Sequence, residues 1–281
     1  MTIKELINQG IIMLKNEGIE SPVAKAREIL AFTLKTSKQH LLIYDNKEVT
    51  KSKQEEYIKN IKRLLQGEPL QYIIGTQEFM KLKFVVTKDV LIPQPDTEIL
   101  VEETIKILEN VSNTVVLDLC TGSGAIAISI AKYVQNVQIY ATDISKKALE
   151  IAKQNATLNG VSNNIKFIES NLFEKIKDEK FDVIESNPPY IPTEDIKKLS
   201  KEVQNEPKIA LDGGKDGLDF YRKIIKEGNK YLNRQGYLCL EIGYDQKNQV
   251  KKIIDDERRY VETYCKKDLC QNDRIIVTRI G

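Results

Sequence analysis

Apolar residues near the N-terminus recur every three to four positions, which is about the spacing of one α-helical face. The first such stripe comprises Ile3, Leu6, Ile7, Ile11 and Leu14. Ser21 followed by Pro22 is typical of a helix start, because proline fits the first helical turn. Gly67 and Pro69 end the last helical stretch. The pattern predicts a small helical bundle over residues 1–75.

The spacing of apolar residues changes after residue 75. Leu82, Phe84 and Val86 alternate with polar residues, which is the pattern of a half-buried strand. We therefore expect a linking β-hairpin over residues 76–92. The turn that follows ends in Asp96, which is placed to cap the next helix.

From residue 93 to residue 281, short apolar strands alternate with helical segments. Strands are predicted at residues 115–117, 137–141, 165–168, 181–184 and 237–242, with a final hairpin at 260–264 and 275–278. A helix over about residues 218–232 precedes the fifth strand. Such alternation predicts an α/β domain with a mostly parallel, doubly wound sheet.

Composition excludes several classes of protein. The 281 residues suit about two domains, and 43 Lys and Arg against 41 Asp and Glu give a net charge of +2. A strongly basic nucleic-acid wrapper is therefore not expected. No apolar run approaches the ~20 residues of a membrane span, and the N-terminus lacks the apolar core of a secretory signal. We expect a cytoplasmic protein with no membrane partner.

The cysteine and histidine content of the chain limits the kinds of site and catalytic mechanism that it can have. The four cysteines are scattered without a Cys-x-x-Cys pair, so we expect neither a disulfide framework nor a metal site. The single histidine, His40, lies in a lysine-rich helical segment typical of a protein surface. Mechanisms that depend on a catalytic histidine are therefore disfavoured.

A glycine turn over residues 118–124 follows the first strand of the α/β domain and opens a helix. Gly122 and Gly124 allow a ligand to approach the main chain closely. Asp143 ends the next strand, 25 residues after Asp118. This is near the offset of about 20 residues at which an acid accepts hydrogen bonds from ribose hydroxyls. The segment predicts a nucleoside-containing ligand, the alternative being a turn that merely joins a strand to a helix.

The glycine pattern of dinucleotide sites is incomplete, because Cys120 replaces its first glycine and Ala127 its third. This favours a cofactor without a pyrophosphate. S-adenosylmethionine carries a ribose, an amino acid and a sulfonium but no phosphate. The carboxylate of Asp118 stands where it could hold a cationic group.

The segment Asn187-Pro188-Pro189-Tyr190 follows the fourth strand, so we expect it at the same edge of the sheet as the glycine turn. Prolines fix φ and supply carbonyls without a matching N–H. With the Asn187 amide oxygen they offer two acceptors for the hydrogens of a planar amino group. Tyr190 can stack on that group. The arrangement favours methylation of a weakly nucleophilic amide nitrogen by positioning, the alternative being a rigid turn.

The chain resembles the PrmC/HemK family of release factor glutamine methyltransferases over nearly its whole length. The resemblance is carried by residues 67–75, 90–98, 118–124, 143, 170–173, 187–190, 212–214 and 241–243. It implies a Rossmann-like S-adenosylmethionine-dependent methyltransferase domain with a seven-stranded sheet over residues 93–281. It also implies an N-terminal helical domain, residues 1–75, that recognises the release factor, and a hairpin, residues 76–92, that links the two.

The resemblance further implies the reaction. The substrate is the glutamine of the Gly-Gly-Gln tripeptide in class 1 peptide chain release factors, methylated once on its side-chain nitrogen, with S-adenosylhomocysteine as the other product. Asn187, Pro188 and Tyr190 are the implied catalytic residues, and Pro189 joins them in binding the substrate. The implied cofactor contacts are Asp118, Cys120, Thr121, Gly122, Ser123, Gly124, Asp143, Asn171, Leu172 and Asn187. We expect a monomer that binds no nucleic acid directly.

Three positions depart from the family pattern. Gln94 replaces an arginine between two prolines, so an ionic contact is lost there. Asn171 replaces an aspartate, which changes one expected adenine contact, although an amide can still bond the ring. Cys120 replaces a glycine, and we expect its thiol to be a small apolar filler.

Three other functions remain open. An enzyme that methylates the exocyclic amine of an RNA or DNA base would use the same four-residue segment, but the near-neutral charge disfavours it. A non-catalytic module that binds a translation factor would not need both the glycine turn and the segment 187–190. A dehydrogenase would need tight binding of a nicotinamide cofactor.

Overall fold

The computed structural model describes residues 1–109, 111 and 113–281. Their contacts divide into two compact units. The first comprises residues 1–75 and 200–205, and the second comprises residues 76–199 and 206–281. The segment 200–205 thus joins the first unit, although the sequence analysis assigns it to the methyltransferase domain.

The first unit is helical, as its apolar spacing predicts. Its helices are α1 (Ile3–Asn16), α2 (Pro22–Leu34), α3 (Lys38–Ile43), α4 (Lys51–Leu65) and α5 (Leu70–Ile74). Ser21 and Pro22 begin α2 as expected. The predicted stripe of α1 faces the core, where Leu6 and Leu14 are fully buried with Ile29 and Leu30. The bundle therefore forms by burying one face of each amphipathic helix.

The second unit opens with a hairpin and continues as an α/β domain. In chain order its first elements are β1 (Thr76–Phe79), β2 (Leu82–Val85), α6 (Glu98–Leu108), β3 (Thr114–Leu119), α7 (Ala125–Tyr133), β4 (Val137–Asp143), α8 (Lys146–Leu158), β5 (Ile165–Glu169) and β6 (Phe181–Ser186). Helix α9 (Lys201–Gln204) belongs to the first unit. The chain then forms α10 (Lys208–Leu211), α11 (Asp219–Gly228), β7 (Leu232–Glu241), α12 (Lys247–Asp256), β8 (Tyr260–Lys267) and β9 (Asp273–Ile280).

Seven strands form one sheet in the order β5-β4-β3-β6-β7-β9-β8. The first five run parallel, whereas β9 is antiparallel to both β7 and β8. The chain winds outward from β3 to β5 and then returns to β6 on the other side of β3. Ligands of such sheets bind outside the carboxyl ends of the strands at this reversal. The predicted fold class is confirmed.

Both faces of the sheet are buried, which explains the continuous apolar runs of its strands. Val116 of β3 belongs to one core cluster, and its neighbours Leu117 and Leu119 belong to the other. Alternate side chains of one strand thus enter opposite layers. The cores hold the carboxyl ends of β3, β4 and β6 in fixed positions.

Four local predictions were wrong. The hairpin strands end at Val85, short of residue 92. The helix before β7 ends at Gly228, and β7 begins earlier than predicted, at Leu232. Asp96 does not cap α6 with its side chain. It lies in a 3₁₀ turn, and its carboxylate pairs with the Arg274 guanidinium at 3.1 Å, because a charged donor is a stronger hydrogen-bond partner than a helix N–H.

Within the described ranges, no helix is long and apolar enough to cross a membrane. The same residues contain no group of His, Cys, Asp or Glu side chains that could hold a metal ion.

Candidate active site

An open cleft of about 670 Å³ lies in the second unit at the carboxyl ends of β3, β4 and β6. It is lined by Asp89, Val90, Leu91, Cys120, Gly122, Asp143, Ile144, Ser145, Ala148, Ser170, Asn171, Leu172, Asn187, Pro189, Pro207, Ile209, Ala210 and Phe220. We call this feature the cleft.

The glycine turn between β3 and α7 forms one side of the cleft. Asp118 is fully buried beneath the turn, and its carboxylate accepts a hydrogen bond from the Thr121 hydroxyl at 2.6 Å. Gly124 has a φ of +80°, and a Cβ there would lie 2.8 Å from Ile128 Cδ1 and 3.1 Å from Ala152 Cβ. The turn can therefore pack against α8 only because this residue is glycine.

Asp143 stands at the end of β4, where the sequence places it. Its Oδ2 accepts from the Gly122 N–H at 2.9 Å, and its Oδ1 accepts from the Ser145 N–H at 2.8 Å. Burial raises the pKa of this carboxyl, and the main-chain donors partly offset that rise. Each carboxylate oxygen has further lone pairs, so Asp143 can still accept hydrogen bonds from a bound ligand.

Cys120 lies in the glycine turn and lines the cleft. Its φ of +61° lies in the left-handed region, which costs a non-glycine residue about 1–2 kcal/mol. Burial raises the pKa of its thiol, so the thiol stays protonated at neutral pH. These observations favour its interpretation as an apolar filler in the wall of the cleft.

Residues Asn187–Tyr190, which we call the clamp, leave β6 directly after Ser186. The Asn187 amide donates its Nδ2–H to Thr97 Oγ1 at 3.2 Å. Asn187 and Pro189 line the cleft, whereas Pro188 is buried and is not part of its lining. The clamp and the glycine turn therefore share one edge of the sheet.

The main chain of the clamp is braced by Gln246, which the sequence analysis did not single out, and by Gly213 of the segment 212–214. Gln246 donates from Nε2 to the Tyr190 carbonyl at 2.9 Å and accepts the Gly243 N–H at 3.0 Å. Gly213 packs so closely that a Cβ there would lie 2.7 Å from Tyr190 Cα. Gln246 carries no local motif, so only its contacts reveal it.

A partly buried charged cluster lies beside the clamp. Glu241 is only 2% exposed, and burial raises the pKa of its carboxyl to about 7. The nearby Thr97 and Tyr190 side chains and the charge of Arg274 oppose that rise in pKa. Arg274 itself pairs with Asp96 and, at 3.0 Å, with Asp268. The cluster connects β7 and β9 to the side chains of the clamp.

Some of the predicted site residues line the cleft, and the others lie outside its lining. Those that line the cleft are Cys120, Gly122, Asp143, Asn171, Leu172, Asn187 and Pro189. Those outside its lining are Asp118, Thr121, Ser123, Gly124, Pro188 and Tyr190. Asn171 uses its amide N–H on Glu174 at 2.7 Å. The contacts of all these residues with ligands stay predictions.

The cleft suits S-adenosylmethionine. Asp143 offers acceptors for ribose hydroxyls, while Ile144 and Leu172 offer apolar surface for the adenine. Among the lining residues of the described chain, none is a lysine or an arginine that could neutralise a pyrophosphate. The fold and the cleft define an S-adenosylmethionine-dependent methyltransferase.

Comparison with known proteins gives the family. Residues 5–75 match the model of the PrmC N-terminal domain, and residues 95–211 match that of the methyltransferase small domain. The release factor glutamine methyltransferase of Fusobacterium nucleatum is 40% identical over 98% of this chain and 78% of its own length. That of Clostridium acetobutylicum is 38% identical over 100% of this chain and 99% of its own. The chain belongs to the release factor glutamine methyltransferase family.

A solved structure shows the same fold. The crystal structure of a methyltransferase from Pyrococcus furiosus has a TM-score of 0.51 and 20% identity, and it covers 71% of this chain and 88% of its own.

Proposed function

We propose that this chain transfers a methyl group from S-adenosylmethionine to the glutamine side-chain nitrogen of the Gly-Gly-Gln tripeptide in class 1 release factors. One observation carries the assignment of the site. Asn187 directs its N–H to Thr97 at 3.2 Å, which leaves its Oδ1 as an acceptor at the edge of the cleft. The Pro188 carbonyl is the second acceptor.

Two fixed acceptors address the main obstacle to amide methylation. An amide nitrogen is a poor nucleophile because its lone pair is delocalised into the carbonyl group. Asn187 Oδ1 and the Pro188 carbonyl oxygen accept its two hydrogens, orient the nitrogen and stabilise the positive charge that develops on it. S-adenosylmethionine supplies an electrophilic methyl group when it is bound. As the N–C bond forms, the bond from the methyl group to sulfur breaks and S-adenosylhomocysteine leaves. The nitrogen then releases one of its two hydrogens to water as a proton, and no strong base is needed because a positively charged amide nitrogen is very acidic.

The same acceptors account for substrate selection. A glutamate in place of the glutamine would present a carboxylate, which has no hydrogen to donate when ionised. It would then face two oxygen acceptors and be repelled. The clamp therefore favours an amide over a carboxylate of nearly the same shape.

The first unit is the proposed docking element for the release factor. Helix α3 and its end expose three large apolar side chains, Leu42, Ile43 and Tyr44. Exposed apolar patches of this kind are typical of protein interaction sites. This unit is also the part of the chain that matches the PrmC N-terminal domain.

The experiment is an intact-mass measurement on a purified class 1 release factor incubated with this chain and S-adenosylmethionine. A matched sample carries glutamate in place of the Gly-Gly-Gln glutamine. We expect one added methyl group on the unaltered factor only, and none with the Asn187→Ala enzyme. No methylation by wild-type enzyme that binds the cofactor would overturn the proposal and favour a nucleic-acid amine as substrate.

A further inference from the structure

Thr97 lies between the clamp and a buried carboxylate. Its side chain is 4% exposed, and its Oγ1 accepts the Asn187 Nδ2–H at 3.2 Å. The same side chain lies against the carboxylate of Glu241, which is itself 2% exposed, and it favours the ionised form of that carboxyl by lowering its pKa. The three residues come from the turn before α6, from the end of β6 and from the end of β7.

The number of available protons decides which atoms donate and which accept among Glu241, Thr97 and Asn187. An ionised carboxylate can only accept hydrogen bonds, so the single proton of the Thr97 hydroxyl is directed at Glu241. The hydroxyl oxygen then has only lone pairs left for Asn187. It therefore bonds the amide nitrogen of Asn187 and not the amide oxygen. The opposite face of the amide, Oδ1, is left for the cleft.

We propose that Thr97 is a positioning residue that fixes the orientation of the Asn187 amide and thereby sets the preference for glutamine over glutamate. This inference rests on the proposed function of the clamp. Without the hydroxyl, the amide is free to turn by about 180° and present Nδ2 to the substrate. The Nδ2–H donors of Asn187 would then face the N–H donors of the glutamine amide and disfavour its binding. The same Nδ2–H donors would attract the carboxylate of a glutamate.

The test compares three variants. Thr97→Val keeps the shape of the side chain and removes the hydroxyl, whereas Thr97→Ser keeps the hydroxyl. Thr33→Val is the matched control, because Thr33 is also buried and its Oγ1 accepts an asparagine N–H, from Asn60 at 3.4 Å, in the first unit. Melting temperatures establish that each variant is folded, and Thr97→Ala replaces Thr97→Val should the latter unfold.

Three quantities are measured for each variant: kcat on the release factor, the Kd of S-adenosylmethionine, and the ratio of Kd values for glutamine- and glutamate-bearing release factors. For Thr97→Val we expect kcat to fall about 10- to 100-fold and the ratio to approach one, because a buried hydrogen bond is lost and the amide reverses. The Kd of the cofactor should change little. Thr97→Ser should retain most of the rate, and Thr33→Val should keep the wild-type ratio.

A merely structural role for Thr97 would lower stability without moving the ratio. Thr97→Val with the wild-type ratio of Kd values would therefore overturn the inference, even if kcat fell. Failure of the proposed function gives a different result from failure of this inference, because the wild-type enzyme itself would then not methylate the release factor. In that case the inference fails as well.

Discussion

Asp118 and Glu185 lie opposite each other in register on the parallel strands β3 and β6, and both side chains are fully buried. Thr121 donates to one carboxyl group, and Thr104 donates to the other at 3.0 Å. Among the described residues, the second oxygen of each, Asp118 Oδ1 and Glu185 Oε1, has no hydrogen-bond partner. Two buried carboxyl groups therefore lie on neighbouring strands beneath the glycine turn.

Burial favours the protonated form of both carboxyl groups. It raises the pKa of Asp118 to about 7. Burial and then the charge of Asp118 raise the pKa of Glu185 well above its usual value. The two groups titrate as a pair, and folding favours the protonated form of Glu185.

We expect Glu185→Gln to stabilise the protein at neutral pH. Wild-type Glu185 is ionised in the unfolded chain above its usual pKa of 4.5 but protonated in the folded chain, so folding takes up a proton and stability falls as pH rises. The amide removes this dependence, so the free energy of unfolding should rise near pH 7 and change little near pH 4.5. Urea denaturation at both pH values measures it, with the exposed Glu102→Gln as control. An equal gain at both pH values would contradict the explanation.

We expect Asp143→Ala to weaken the binding of S-adenosylmethionine about 10- to 100-fold. The substitution removes the acceptor for ribose hydroxyls and also leaves the Gly122 and Ser145 N–H groups without their partner. Asp143→Asn should give a smaller loss, because its amide oxygen still accepts. Calorimetry with the purified protein measures both affinities, and an unchanged affinity of the alanine variant would refute the assignment.

We expect Gly213→Ala to lower kcat about 10-fold with little change in cofactor affinity. The added Cβ would lie 2.7 Å from Tyr190 Cα and 2.8 Å from the Pro189 carbonyl oxygen, so the clamp must shift. A shift of even about 1 Å is costly for a positioned reaction. Gly228→Ala is the control, since its Cβ would meet no atom closer than 3.4 Å. Steady-state kinetics that show equal rates for both variants would argue against a rigid clamp.

We expect kcat to fall as the pH drops through about 7, because protonated Glu241 would donate to Thr97 and reverse the hydrogen bonds that orient Asn187. The charged groups that face Glu241 are Arg274, which favours its ionised form, and Asp96, which opposes it.

Glu241→Gln tests this dependence. Its amide can donate at every pH, so the variant should be slow throughout and lose the acid limb seen with wild-type enzyme. The profile is measured from about pH 6 to 9 at saturating substrate, after melting curves establish that the variant is folded. An acid limb retained by the variant would assign the titration to another group.

We expect Ile43→Ser to raise the KM for the release factor about 10-fold without changing the Kd of S-adenosylmethionine. Ile43 is 71% exposed on α3, so its loss removes contact surface and not core packing. Ile12→Ser is the matched control, because Ile12 is also a large exposed apolar side chain, on α1. A KM unchanged by Ile43→Ser would move the docking surface elsewhere.

The sequence by itself determined the strands, their order of alternation with helices, and the two segments that meet at the sheet edge. Apolar runs at β3, β4 and β6 are local signals. Parallel strands place their carboxyl ends together, so Asp143 and Asn187 had to lie near each other once the sheet was parallel.

Only the tertiary structure decided how the clamp is held. Thr97, Asn187, Glu241 and Gln246 are far apart in the chain, and none of their mutual contacts leaves a periodic or local pattern. Asp96 has the sequence context of a helix cap, yet Arg274 of a distant strand binds it instead. Burial is set by the whole fold, and in a dry interior each donor and acceptor must find a partner wherever packing supplies one.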